Sequence, residues 1–156
     1  AEIFRDVCNI NYSDFLPSFK EKRTVENKFY QSMNWTILRM LMGYDAQIKK
    51  NSILLETAFE MAKWLEDNDP DRNSHFIHVI NCLQIKKRLN IISKEDEECL
   101  VNILEMKECN DELKFAAYLL LDDKNMAKRY FLKLDKPTRD MYQSSLPLYN
   151  LIKNEL

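Results

Sequence analysis

The chain has 156 residues, 46% apolar and 31% charged, with a formal net charge of −2. That length suffices for one domain with a buried core, and so balanced a charge makes no general electrostatic case for binding nucleic acid or an anionic membrane. A single glycine and only four prolines leave no hairpin dipeptides, which argues against a sheet protein and for an all-α fold.

Residues 1–23 read as a lead-in, with Ser13 placed to cap a short helix carrying Phe15, Leu16 and Phe19 and Pro17 in its first turn. Thr24 is a candidate N-cap for the first long helix. Its apolar stripe runs through Phe29, Met33, Ile37, Met40 and Leu41, is widened by Tyr30, Trp35 and Leu38, and ends at Gly43, where a left-handed C-terminal residue is expected. This aromatic and methionine stripe is read as packed core. A second helix is predicted over residues 46–68, with Ile48, Leu54, Leu55, Ala58, Phe59, Ala62 and Leu65 on one face and Asp69-Pro70 as its stop. The third helix, residues 74–89, spreads Phe76, Ile77, Val79, Ile80, Leu83, Ile85 and Leu89 over more than half its circumference. A helix that apolar is sandwiched between neighbours. Ser93 and Asp96 form a capping-box pair for the fourth, whose buried side Leu100, Ile103, Leu104 and Met106 supply, and Asn110 or Asp111 caps the fifth. Asp122-Asp123 turns the chain into a sixth helix bearing Met126, Ala127, Tyr130, Phe131 and Leu134. A further turn or two around Met141 and Tyr142, a break at Ser144-Ser145 and a terminal helix begun by Pro147 complete the chain. The whole is expected to be one domain: lead-in 1–23, helical hairpins 24–134 and C-terminal capping helices 135–156.

The cysteines, Cys8, Cys82, Cys99 and Cys109, have no C-x-x-C spacing and are read as reduced thiols in a cytoplasmic protein. No apolar run approaches membrane-spanning length, and no secretory leader opens the chain. Abundant Lys, Glu, Asn and Ile are compatible with an AT-rich bacterial genome. The first residue, Ala1, is not an initiator Met, so an excised domain or a processed product is expected.

The hairpin AAYLLLDDKNMAKRYFLKL carries Ala116-Ala117 on its first helix, and Ala127, Phe131 and Leu134 on its second. This resembles a tetratricopeptide repeat. LLETAFEMAKWLEDNDP resembles the second helix of an earlier repeat, with Ala58, Ala62 and Leu65 in the matching places. Ala62 stands where that family has an aromatic, and the family's Trp-Leu-Gly-Tyr set is absent from the first helices. The resemblance implies a short solenoid of about seven or eight helices, stacked as antiparallel hairpins. It also implies a non-enzymatic module that binds a protein or peptide partner in a concave groove, and tails of larger bacterial proteins often carry such units. The first helices of the units, residues 24–42, 74–89 and 111–122, would line the groove. Their non-core positions include Tyr30, Gln31, Asn34, Arg39, Asn81, Gln84, Arg88, Lys114 and Tyr118. Amide, aromatic and cationic groups suit peptide backbone and carboxylates. Asn34, Asn81, Gln84 and Tyr118 are therefore expected to lie exposed on one shared surface.

A competing resemblance lies in RNSHFIH. Arg72 and His78, separated by five residues, resemble the Arg-x(4–6)-His signature of HEPN ribonucleases, which implies a helical ribonuclease or toxin-like RNA-binding domain. Against it, Asp69-Pro70-Asp71 places acidic charge beside a phosphate site, and His78 shares a helical line with Ile85 and Leu89. No basic surface is evident to hold RNA. The spacing of His75, His78 and Cys82 could form part of a metal face, but no fourth ligand is evident. No phosphate-binding loop, H-E-x-x-H or G-x-S-x-G motif occurs. Neither a cofactor nor a metal is expected.

Overall fold

The computed structural model describes residues 27–71 and 74–153. The lead-in, the Thr24 cap, Cys8 and Arg72 lie outside the described residues. Those described form an all-α fold with no strand among them. Seven α-helices follow in order: α1 (Asn27–Ala46), α2 (Ser52–Asn68), α3 (His75–Leu89), α4 (Lys94–Glu105), α5 (Asp111–Leu120), α6 (Lys124–Lys133) and α7 (Lys136–Ser145). A 3₁₀ helix, Pro147–Leu151, comes last. Helices that follow one another pack together, most extensively α1 with α2, α4 with α5 and α5 with α6. The chain divides into two compact units between Ile85 and Lys86, inside α3.

In the first unit α1 and α2 are joined by residues 47–51 and pack side by side. Ile37, Met40 and Leu41 of α1 and Leu55, Ala58, Ala62 and Leu65 of α2 have no exposed surface. Ala58 and Ala62 stand one turn apart on that buried face, where their small side chains let a neighbouring backbone come close. The Tyr30 hydroxyl donates to the carbonyl of Asn68 (3.3 Å), and its ring stacks on Trp64.

Two sequence expectations fail here. Gly43 does not end α1. It is buried within the helix, which runs on to Ala46, and no glycine has positive φ among the described residues. Glycine costs about 1 kcal/mol inside a helix, yet the helix continues through this buried position. Ile48 is not on the buried face of α2. It lies fully exposed in the connection, because Asn51 starts the helix, its side chain accepting from the Ile53 N–H (3.0 Å).

The second unit is held by aromatic rings. Phe115 of α5, with no exposed surface, meets Phe131 of α6 and Tyr142 of α7 at centroid distances of 5.2 and 5.4 Å. Tyr149 of the 3₁₀ helix joins Phe131 at 5.7 Å. Edge-on and tilted rings at such distances attract beyond their buried area. The Tyr142 hydroxyl donates to Glu112 (3.0 Å). Burial, reinforced by the Glu112 carboxylate, pushes the Tyr142 hydroxyl far above the usual tyrosine range. Ala117 and Ala127 are fully buried, as expected of the α5–α6 hairpin, and Leu104, expected in the core, is only half-buried.

The helix ends explain how a chain so poor in glycine can turn. At the end of α5 the Asp122 N–H reaches the Leu119 carbonyl and the Asp123 N–H reaches that of Tyr118. At the end of α3 the Asn90 N–H bonds to Lys87 and that of Ile91 to Lys86. Both are Schellman motifs, with Asp122 (φ 62°) and Asn90 (φ 59°) in the left-handed position usually given to glycine. Asp and Asn tolerate it better than other side chains. Ser93 and Asp96 form the expected capping box of α4, Asn110 caps α5 and Asp123 caps α6. At the C-terminal end α7 continues through the anticipated Ser144-Ser145 break. The chain turns at Leu146, and Pro147 opens a 3₁₀ helix rather than an α-helix.

Candidate functional site

The stretch that ends α2 and starts α3 lines a cleft of about 180 Å³, bounded by Tyr30, Gln31 and Asn34 of α1 and by Asp69, Asp71, Ser74, Ile77 and His78. Asp69 caps α2, its N–H donating to the Leu65 carbonyl. Both of its carboxylate oxygens are engaged: Oδ1 accepts from the Asp71 N–H (2.9 Å) and Oδ2 lies 2.7 Å from His78 Nε2. Ser74 Oγ closes the turn on the Asp71 carboxylate (3.0 Å). The Asp-Pro stop thus folds the chain so that a carboxylate meets the histidine nine residues on.

His78 is 3% exposed, and its Nδ1 has no hydrogen-bonding partner. Pairing with Asp69 aims Nε2 at the carboxylate, and Nδ1 is enclosed. A general base must reach the proton that it removes, and here one nitrogen is held by Asp69 while the other is shut in. Of the proposed ribonuclease pair, Arg72 lies outside the described residues. The acidic charge expected beside His78 is present, at hydrogen-bonding distance.

The expectation that Asn34, Asn81, Gln84 and Tyr118 share an exposed surface is corrected. Asn81 and Gln84 are each 3% exposed. Asn81 Nδ2 donates to Asn34 Oδ1 (2.6 Å), and Gln84 Nε2 donates to Asn81 Oδ1 (3.1 Å). They form an internal amide relay from α3 to α1, not a groove lining. The reason is that α3 has no broad polar face: His78, Asn81, Cys82 and Ile85 lie on one inward stripe, all buried. Polar groups on such a helix are buried and must find partners. Asn34 is half-buried. Tyr30, also offered as a groove residue, is 4% exposed.

The remaining candidates are placed differently. Gln31 and Arg39 are exposed on α1, on the same outer stripe as Trp35, which is 41% exposed. The spacing 31, 35, 39 puts one residue on each successive turn. The sequence reading missed Trp35 by counting it with the core stripe, although its position four residues from both Gln31 and Arg39 was visible. Arg88 is half-buried, its Nη2 donating to the Pro147 carbonyl (2.8 Å), which tethers α3 to the 3₁₀ helix within the second unit. Lys114 and Tyr118 come together on the α5–α6 hairpin: Tyr118 stacks on Tyr130 at 5.6 Å and 8°, and Lys114 Nζ lies over the Tyr130 ring at 5.3 Å.

No group of three or more His, Cys, Asp or Glu side chains is arranged to hold a metal among the described residues. His75 is exposed and edge-on to Phe76, and Cys82 Sγ faces Glu66 Oε2 at 3.6 Å. No described helix is long and apolar enough to cross a membrane. Comparison with protein-family models, curated proteins and solved structures finds no match.

Proposed function

We propose that this chain is a non-enzymatic protein- or peptide-binding helical module of tetratricopeptide-like design. The observation that carries this reading is the outer stripe of α1. Trp35 keeps 41% of its surface in water between Gln31 and Arg39, and Arg39 makes no ion pair among the described residues. Leaving so large an apolar side chain exposed forgoes burial energy, and Trp and Arg are the side chains that most often dominate binding interfaces. Ile77, also exposed, lies across the cleft that Gln31 borders, so an apolar anchor and polar groups stand close together. The α5–α6 hairpin supports the repeat-like design, with Ala116, Ala117, Ala127 and Phe131 all buried. The buried thiols of Cys82 and Cys109 fit the cytoplasmic setting that goes with this reading.

Selection from a random peptide library on the intact chain tests the proposal. Enrichment of a shared motif is expected. In calorimetry its binding should weaken roughly tenfold or more in Trp35→Ala, with an unchanged melting temperature. The competing ribonuclease reading is tested in parallel. RNA cleavage by the wild type that disappears in a folded His78→Gln variant would replace the proposal with an enzyme, and failure of Trp35→Ala to weaken any selected peptide would remove the α1 stripe as the binding face.

A further inference from the structure

We infer that the outer face of the α5–α6 hairpin is a docking site for an acidic peptide segment. This inference rests on the binding-module reading and names the chemistry of one partner. Two ammonium groups converge on one ring: Lys114 Nζ stands 5.3 Å and Lys133 Nζ 4.6 Å from the centroid of Tyr130. Tyr118 stacks on the same ring. Neither lysine forms an ion pair among the described residues. The helix behind them, KNMAKRYFLK, holds four basic residues and no acidic one.

The acidic groups nearest in sequence are committed elsewhere. Glu112 accepts from Tyr142, Asp122 pairs with Lys87, Asp123 caps α6 and Asp135 caps α7. Asp111 stands one turn before Lys114 without forming an ion pair to it. The result is a local excess of positive charge on a chain whose net charge is −2.

Cation–π contact pre-positions both ammoniums without neutralising them, so each keeps donors for an incoming carboxylate. The Tyr118 and Tyr130 hydroxyls add short polar handles. Stacking of a nucleic-acid base requires an open ring face, whereas Tyr130 is already occupied by Tyr118 and the two ammoniums. The arrangement therefore favours carboxylates on a peptide over single-stranded RNA.

The test uses the intact chain and two labelled peptides of equal length, one alternating Glu with Gly and the other Gln with Gly, together with a single-stranded RNA of matched charge. The Glu peptide is expected to bind, the Gln peptide to bind at least about tenfold more weakly, and added salt to weaken the Glu complex. Lys114→Gln/Lys133→Gln should lose roughly tenfold for the Glu peptide. Lys128→Gln, which removes an exposed charge from the same helix outside the cluster, should stay within about twofold. Equal binding of the two peptides, equal losses in the double variant and Lys128→Gln, or tighter binding of the RNA would overturn the inference. Should a Trp35-dependent motif emerge from the library while the Glu peptide fails, the module reading stands and the acidic docking site falls. Failure of both removes both.

Discussion

The two units solve the problem of a helical interior with different materials. Residues 27–85 bury amides and an acid–histidine pair among aliphatic side chains: Asn34, Asn81 and Gln84 hand hydrogen bonds along one line, and Asp69 meets His78. Residues 86–153 bury the rings of Phe115, Phe131 and Tyr142, and the half-buried Tyr149 meets Phe131 from a fourth element. A buried amide chain gains little net energy but tolerates only one alignment of its partners, since a slipped register orphans polar atoms. A ring cluster gains energy from area and constrains alignment less. The first unit is thus specified by its polar interior, and the second is stabilised by its aromatic one.

The largest blow to that contrast is expected from Phe115→Ala, which should cost about 3–5 kcal/mol in thermal or urea unfolding. Amide exchange should rise most in α5, α6 and α7. A loss below 1 kcal/mol would show that the rings do not hold this unit. Asn81→Ala comes next, at about 1–3 kcal/mol, because it strips both Asn34 and Gln84 of a partner. The sharper version replaces Asn34, Asn81 and Gln84 together with Leu, Leu and Met. Stability should recover to near the wild type, while chemical-shift dispersion in α1 and α3 degrades if the relay sets register. Full dispersion in a stable triple variant would reassign the relay to incidental packing.

How far these features could be read from the sequence depends on how local their causes are. The Ser93–Asp96 box and the Asn110 cap were legible because a cap is complete within four residues. Gly43 misled because one glycine can either end a helix or sit buried inside it, and only tertiary packing distinguishes the two. Asn81 and Gln84 were read as exposed on the usual assumption that amides face water. Yet the breadth of apolar positions around α3 already implied that little of that helix would face solvent. Their partner Asn34, 47 residues earlier than Asn81, was beyond any local pattern. In the candidate sites, the acidic surroundings of His78 were foreseen from Asp69-Pro70-Asp71. The meeting of Lys114 and Tyr118 with Tyr130 and Lys133 depended on how the hairpin closes.

A smaller effect comes from acid. Burial raises the Asp96 carboxyl, but the backbone N–H of Ser93, the Lys86 ammonium and the Ser93 hydroxyl outweigh it and hold the group below its ordinary range. A carboxylate depressed in the folded state contributes stability above its unfolded pKa, and that contribution is lost as pH falls through the folded value. Unfolding measured from neutral pH down to below about pH 4 should therefore show a loss in the wild type that is reduced in Asp96→Asn, with about 1 kcal/mol at stake in the cap. An identical acid profile in the two proteins would remove Asp96 from the account. Smallest of all, Asn90→Gly should raise stability by about 0.5–1 kcal/mol by relieving a left-handed side chain, provided Asn90 acts only as a helix stop. A loss would reveal an unassigned role for its amide.

The chain has two tryptophans, Trp35 on the water side of α1 and Trp64 beside Tyr30, and both belong to residues 27–85. The stacked pair Tyr118–Tyr130 belongs to the other unit. Optical probes therefore divide along the same line as the interior chemistry. Indole emission should follow unfolding of the amide-built unit, with Trp35 red-shifted even in the native protein. The near-ultraviolet dichroism of the tyrosines should follow mainly the ring-built unit. A single melt recorded at both signals can then report, without labels, whether the two units unfold together.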